Sequence, residues 1–572
     1  MKRFWKIILS ILALLIIAPG SYLWAMVLLD SLYKYESPLK GKLPIGQPTQ
    51  PLVSQVVMVI VDGLRYDTSL EMPYLNSLRE EGASGVMVGI PSPASQSAWT
   101  TLISGAGPEI NGAPFLDPDH TDQIQPIAVD HLFAEVKRSG FISGLVGSNW
   151  WQKMVPDRFL YAQFFVEDDD DADGQVVDTA LRFLKNFHLH YLLVHLNQVD
   201  HASREYGAAS SEYRQAALRV DVHLRDIARA TNVQRNVLIV VSDYGHPEAG
   251  ERGKYGRVAL MAPFVMVGPA VVPGDYGHIA PGDVAPTVAA LLGTAVPNAA
   301  QRPIRFDMLR MDEVQRAVKQ VSQAQQRVAL GQVYLSSIGA APLSDTAEGD
   351  ALVATSSLQV KNYTGAYTLG ELAVQEIDWE MEQARARSIQ SERAQRRIGA
   401  LGVILAPLFL AWWKRSKRLG ILILSAFLTV VIYHSLFIQE GNVYAPNIPR
   451  PVEPFLEESL RRVAIALPTG LVVTLLWLWH EREKSLLDVT QSVYGFSFAV
   501  IYFLVIQVAI GYWLNGPTVT WYLPDLILFF LHFSALVQSS MVAAISVFLP
   551  VAVLPIYGVA LLTRSRLKRD KP

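Results

Sequence analysis

The sequence predicts an α/β fold, with a doubly wound, mostly parallel sheet, joined to an α-helical membrane region. Three observations lead there. Between residues 53 and 300, short, near-continuous apolar runs alternate with helical patterns, as strands buried on both faces require. Three of those runs lead into an Asp, which suits a sheet that carries its site beyond the carboxyl ends of its strands. Long apolar stretches lie at both ends of the 572-residue chain, which is 51% hydrophobic and 18% charged.

The elements follow in order. Residues 7–29 are almost continuously apolar and follow Lys2, Arg3 and Lys6, so 1–30 reads as an uncleaved anchor with its N-terminus inside. The domain expected over 31–310 begins with "QVVMVIV" (55–61), which leads into Asp62-Gly63. A helical stretch at 127–139 precedes "ISGLVG" (142–147), and "YLLVHL" (191–196) leads towards Asp200. Tyr213, Ala217, Val220, Leu224 and Ile227 repeat at helical spacing. "NVLIVV" (236–241) leads into Ser242-Asp243, "FVMVG" (264–268) follows, and Asp283 caps "VAPTVAALLG".

Residues 311–397 read as a stalk of polar-faced helices. The remainder, 398–572, holds about five spans, at 398–413, 419–438, 463–479, 492–514 and 541–562. Residues 525–537 are expected to be interfacial or re-entrant, because Gln538-Ser539-Ser540 interrupt the last apolar stretch. The basic runs "KRSKR" (414–418) and "RSRLKRD" (564–570) place both termini in the cytoplasm and the large domain outside it, in a multi-pass protein of the cell membrane.

Composition also excludes functions. A net charge of −3 gives no electrostatic case for nucleic acid. The absence of Cys rules out disulfides, Cys-ligated zinc and a Cys nucleophile.

Asp62, Asp200 and Asp243 come from three distant segments that a parallel sheet can bring to one rim. The segment "PSPASQSAWTTLISGAGPEINGAP" (91–114) adds a hydroxyl-rich loop entering a helix, where free N–H groups favour an anionic or phosphorylated side chain. Its hydroxyls are Ser92, Ser95, Ser97, Thr100 and Thr101, and the loop alone does not choose among them. Asn111 is a further pocket residue and candidate oxyanion donor. The acidic run "EDDDDADG" (167–174) lacks the spaced ligands of a calcium loop and reads as solvated.

These motifs resemble the alkaline phosphatase superfamily, in the branch of type I phosphodiesterases, nucleotide pyrophosphatases and GPI ethanolamine phosphate transferases. "VDGLRYD" (61–67) is similar to the family's first metal-binding strand end, and "LLVHLNQVDHASREYG" (192–207) to its Asp-x-x-x-His motif. "SDYGH" (242–246) is similar to Asp-His-Gly, and "GDVAPTVAALLG" (282–293) to the closing helix. The spacing back from Ala98-Trp99 puts the nucleophile at Ser95. The resemblance implies two metal ions, usually zinc, held by Asp62, Asp200, Asp243 and histidines, which activate the nucleophile and stabilise the transferring phosphoryl group.

The chain departs from the pattern at the histidines. Tyr244 follows Asp243, Arg204 lies four residues after Asp200, and Arg252 falls near the third His position. Carboxylates and a hydroxyl suit magnesium or manganese better than zinc, and an Arg repels a metal while it can grip phosphate. Three arrangements are open. His201, His246 or His278 supplies replacement ligands; one metal survives at Asp62 and Asp243; or the site is metal-free, with Arg204 and Arg252 as fixed cations.

The expected function is a membrane-anchored phosphodiesterase or phosphotransferase, a hydrolase or transferase that acts through Ser95 on a lipid- or glycan-linked phosphate ester at the bilayer. The alternative is a pseudoenzyme that binds a phosphorylated ligand or a partner protein at the membrane.

Overall fold

The first strand, β1 (Val56–Val61), is buried at every position, and its alternation fixes the layers. In the computed structural model, which describes residues 2–89, 94–113, 124–167, 172–245, 260–414, 417–441, 452–481 and 485–569, Val56, Met58 and Ile60 face one apolar cluster. Helices Ser95–Ser104, Leu132–Arg138 and Val284–Leu292 cover that face through Trp99, Leu102, Phe133 and Val288. Val57, Val59 and Val61 face a second cluster, closed by helices Pro73–Glu81, Ala172–Asn186 and Ser211–Thr231. Burial of each large aliphatic side chain stabilises the layers by about 1.5–3 kcal/mol.

The other strands are β2 (Ala83–Val88), β3 (Ser143–Ser148), β4 (Ala162–Val166), β5 (Tyr191–Leu196), β6 (Val237–Val241), β7 (Met261–Val267) and β8 (Gly274–Ile279). Their order across the single eight-stranded sheet is β4-β3-β5-β1-β6-β7-β2-β8. Pairing is parallel except where β7 runs against β6 and β2. The α/β class and the mostly parallel sheet are therefore as the sequence predicts. The register sets Ile60 opposite His195 on β5 and Val241 on β6, so β1 lies between the two strands that precede the other carboxylates.

Two units divide the chain, Tyr33–Gln390 in one and Met1–Leu32 with Ser391–Pro572 in the other. Within the first unit the sheet is followed by helix Glu313–Ser337, whose N-terminus is closed by a reciprocal pair: Gln315 N–H donates to Asp312 Oδ1 (2.8 Å) and Asp312 N–H to Gln315 Oε1 (3.1 Å). Helices Asp345–Gln359 and Tyr363–Lys414 come next.

Lys319 of the first of these helices is buried, and its ammonium donates to Thr49 Oγ1 (2.9 Å) and the Gln50 carbonyl (2.7 Å). Burial lowers its pKa from 10.5 to about 8. Between those pH values the unfolded chain holds a proton that the folded chain has released, so stability rises with pH across the window. The full rise is about 3 kcal/mol. Thermal unfolding at several pH values should show wild type gaining on Lys319→Met as pH rises from about 8 to about 10. Parallel curves would contradict this account.

In the second unit, five helices among the described residues are long and apolar enough to cross a membrane: Phe4–Tyr33, Lys417–Gln439, Val452–His480, Leu486–Asn515 and Leu526–Val559. The expected span at 398–413 is the end of helix Tyr363–Lys414 and is not among them. The interruption expected at Gln538-Ser539-Ser540 is corrected. Leu526–Arg569 is one continuous helix, in which Ser539 Oγ donates to the Ala535 carbonyl and Gln538 Nε2 to Ser534 Oγ. The polar residues bond within their own helix and so do not break it.

Candidate functional site

Strand alternation assembles the site. Asp62 continues the 56-58-60 series one residue past β1, and Asp243 continues 237-239-241 two residues past β6. His195 continues 191-193 within β5. All three thus point to the face covered by helix Ser95–Ser104. Gly63, at φ 71°, turns the chain sharply after Asp62, and its N–H donates to Asp243 Oδ1 (3.2 Å).

Asp243 is buried and well tied. Its Oδ1 also accepts from the Tyr244 N–H (2.9 Å), and its Oδ2 accepts from Trp99 Nε1 (2.9 Å). Even so, its pKa lies well above the usual carboxylate range, because burial and the adjoining Asp62 carboxyl both disfavour a second negative charge; Asp200 adds to the effect. Neighbouring Ser242 accepts from the Leu64 N–H (3.0 Å), which locks the β1 and β6 strand ends together.

Ser95 is the first residue of its helix and is buried. Its Oγ lies 2.8 Å from the Tyr244 hydroxyl, so the residue in place of the family's His holds the nucleophile candidate directly. His195 and Trp99 are site residues that the sequence reading did not single out. His195 Nε2 lies 3.3 Å from Asp62 Oδ2, and its ring stands edge-on to Trp99 at 4.4 Å. Trp99 in turn stacks on Trp151 at 5.0 Å. The signal for His195 was present, as the one imidazole inside an otherwise hydrophobic strand.

Asp200 lies in the first turn of helix Gln198–Tyr206 and is fully buried. One turn later Arg204 presents its Nε 2.7 Å from Asp200 Oδ2. The two described replacement histidines, His201 and His278, are not placed with the carboxylates in any three-residue group. His201 Nε2 lies 3.5 Å from Glu205 instead, since neighbours on a helix diverge by about 100°. His278 is exposed on β8, the edge strand, four places from β1 across the sheet. His246 and Arg252 lie outside the described residues.

Asn111 is buried and bonded within its own stretch of chain. Its Nδ2 donates to the Ala106 carbonyl (2.8 Å) and Thr101 Oγ1 (3.3 Å), and its Oδ1 accepts from the Ala113 N–H (2.7 Å). The amide closes the turn after the Ser95 helix, at the end away from Ser95.

Among the described residues, no group of three or more His, Asp or Glu is placed to hold a metal ion. The donor chemistry does not fit the two-zinc set that the resemblance implies. A guanidinium covers Asp200, and a phenol stands where an imidazole would bind. Asp62 and Asp243 together retain the oxygen donors for one hard ion.

Residues 56–257 match the family model for type I phosphodiesterase / nucleotide pyrophosphatase. GPI ethanolamine phosphate transferase 2 of Debaryomyces hansenii is 23% identical over 290 residues, which is 45% of this chain and 33% of that protein. The chain thus matches one third of that relative's length. Among solved structures, murine ectonucleotide pyrophosphatase / phosphodiesterase 5 aligns over 45% of this chain and 100% of its own, with 13% identity and a TM-score of 0.36. A protein of the alkaline phosphatase superfamily from Vibrio parahaemolyticus aligns over 51% and 79%, with 15% identity and a TM-score of 0.37.

Proposed function

We propose that the phosphodiesterase-family domain over residues 56–257 is catalytic, and that the protein is a membrane-anchored phosphodiesterase or phosphotransferase using Ser95 as its nucleophile. One observation carries this reading. A buried Ser at a helix N-terminus lies 2.8 Å from the Tyr244 hydroxyl, and Trp99, one turn along the same helix, donates to the Asp243 carboxyl delivered by the adjoining strand.

Ser95 Oγ forms a bond to phosphorus while the bond from phosphorus to the leaving alcohol breaks. The Tyr244 hydroxyl accepts the Ser95 proton as it passes its own to water, and the departing alkoxide takes up one proton from water, so the proton count is unchanged. Helix N–H groups favour the phosphorylated serine. Water or an acceptor hydroxyl then attacks phosphorus and releases Ser95. Any divalent ion here would be a hard one, magnesium or manganese, on Asp62 and Asp243, and would add positive charge beside the phosphoryl oxygens.

The substrate is a lipid- or glycan-linked phosphate ester. The apolar helices support that reading, as does the similarity to a transferase named for a glycolipid phosphate reaction. The basic runs support an extracytoplasmic domain, six spans and cytoplasmic termini.

The test is hydrolysis of a bis-aryl phosphodiester by the full-length protein, followed by acid quench and peptide mass spectrometry. A phosphate on Ser95 is the expected result. A second reading, a phosphate-binding pseudoenzyme, is favoured by the Arg204–Asp200 pair. It predicts phosphate binding with neither turnover nor phosphoserine.

A further inference from the structure

We infer that the Glu109–Arg385 ion pair positions the nucleophile helix, and that through it Ser95 is tied to both places where the chain passes between its two units. The inference deepens the phosphoryl-transfer reading and rests on it for the role of Ser95.

The chain crosses to and from the unit that holds the five apolar helices after Leu32 and after Gln390. Residues close to both crossings meet on one short turn, Pro108–Asn111, which follows helix Ser95–Ser104. Just past the first crossing, the Tyr35 hydroxyl donates to the Glu109 carbonyl (2.7 Å), and Ser37 Oγ donates to the Ile110 carbonyl. Gly112, at φ 68°, ends the turn, and a Cβ there would lie 2.8 Å from the Ser37 nitrogen, so the two segments meet at backbone distance. Just before the second crossing, Arg385 holds the Glu109 carboxylate by two bonds, Nε to Oε1 (2.7 Å) and Nη2 to Oε2 (2.5 Å). Paired bonds of this kind fix orientation as well as distance. Ile110 and Ala106 share an apolar cluster with Leu39, Ile377, Met381 and Ala384, so the same three stretches of chain also pack together.

A bonded path leads from the turn to the nucleophile. Asn111 Nδ2 donates to Thr101 Oγ1 (3.3 Å), which donates to the Ser97 carbonyl (3.0 Å) in the first turn of the helix that Ser95 begins. That helix has ten residues, a length of about 15 Å, and no Gly or Pro inside it to absorb a shift. A movement of the turn is therefore carried to Ser95, and misplacing a reacting group by about 1 Å can cost about a hundredfold in rate. The ion pair itself is partly open to solvent, so its contribution to global stability is small. Its main effect falls on geometry.

The experiment uses the full-length protein in detergent: wild type, Arg385→Ala, Glu109→Gln, Arg385→Lys, and the reversed pair Glu109→Arg with Arg385→Glu. Hydrogen exchange read by mass spectrometry follows residues 95–104, and hydrolysis of the bis-aryl phosphodiester gives kcat and KM. The control is Gln332→Ala, which removes an exposed bond from Gln332 Nε2 to Glu348 Oε1 in the same unit. In Arg385→Ala and Glu109→Gln, exchange in the Ser95 helix should quicken about tenfold while β1 and β6 stay protected, and kcat should fall about tenfold with KM held. Arg385→Lys should lose less, since it keeps the charge and loses the second bond, and the reversed pair should regain part of both effects. A pair that is structural alone would speed exchange across the whole sheet, or lower the unfolding temperature with kcat unchanged, and either result would overturn the inference. So would unchanged exchange in both single variants, or equal effects from Gln332→Ala. If Arg385→Ala does not fold, Glu109→Gln and Arg385→Lys carry the comparison. Wild type without turnover, but with exchange in the Ser95 helix still governed by the pair, would sink the catalytic reading and leave the positioning role standing. Turnover that no variant of the pair alters would do the reverse.

Discussion

Ser95→Ala is expected to lower phosphodiester turnover by about a thousandfold or more, because no other group replaces a covalent nucleophile at its place in the site. The fold should survive. The Ser95 side chain is recorded bonding Tyr244, and loss of one such bond costs about 1 kcal/mol. Circular dichroism and the unfolding temperature should therefore match wild type while kcat collapses. Ser95→Thr keeps a hydroxyl on the same helix and should retain some activity. If Ser95→Ala turns over normally and Ser97→Ala does not, the nucleophile is Ser97, also buried in that first turn.

Trp99→Ala should act on stability and on the site together. Trp99 is 2% exposed, and it stacks on Trp151 and meets the ring of His195. Truncating such a residue leaves a large void and costs about 3–5 kcal/mol. Its indole N–H also donates to Asp243, so the variant removes one of the donors that favour the ionised carboxylate. Trp99→Phe shifts the balance between the two roles, since it keeps an aromatic ring, with a smaller void than Ala leaves, while it removes the N–H. It should lose about 1–3 kcal/mol and show a larger fractional loss of activity than of stability. Equal losses in both would mean that the Asp243 contact is structural alone.

The strands that carry the site were legible because burial on both faces leaves unbroken apolar runs, as in β1, β5 and β6. The outer strands were not. β8, "GDYGHI", is mostly open to solvent, β2 alternates buried with half-buried positions, and β4 has a single buried residue, so none has an unbroken apolar run. The reversed direction of β7 depends on its neighbours and has no local signature. At the site, Asp62 and Asp243 meet because alternation and parallel register force them together. Asn111 could not be separated from a pocket residue by type alone, since only tertiary structure shows its amide bonded to the Ala106 carbonyl. Nor does sequence say that His278 belongs to an edge strand, because strand order is a property of the whole sheet.

The central place of β1 also bears on how the chain is made. Both of its partners come much later, and β5 begins about 130 residues after β1. At roughly 5–20 residues per second, β1 is synthesised about 7–26 s before the strand it pairs with. Throughout that interval "VVMVIV" is an apolar strand with two unpaired edges, the kind of segment that seeks other chains. A nascent chain of this protein therefore carries β1 without either of its partner strands until β5 and β6 emerge, and a chain interrupted before residue 191 lacks both partner strands and the Asp200 and Asp243 carboxyls.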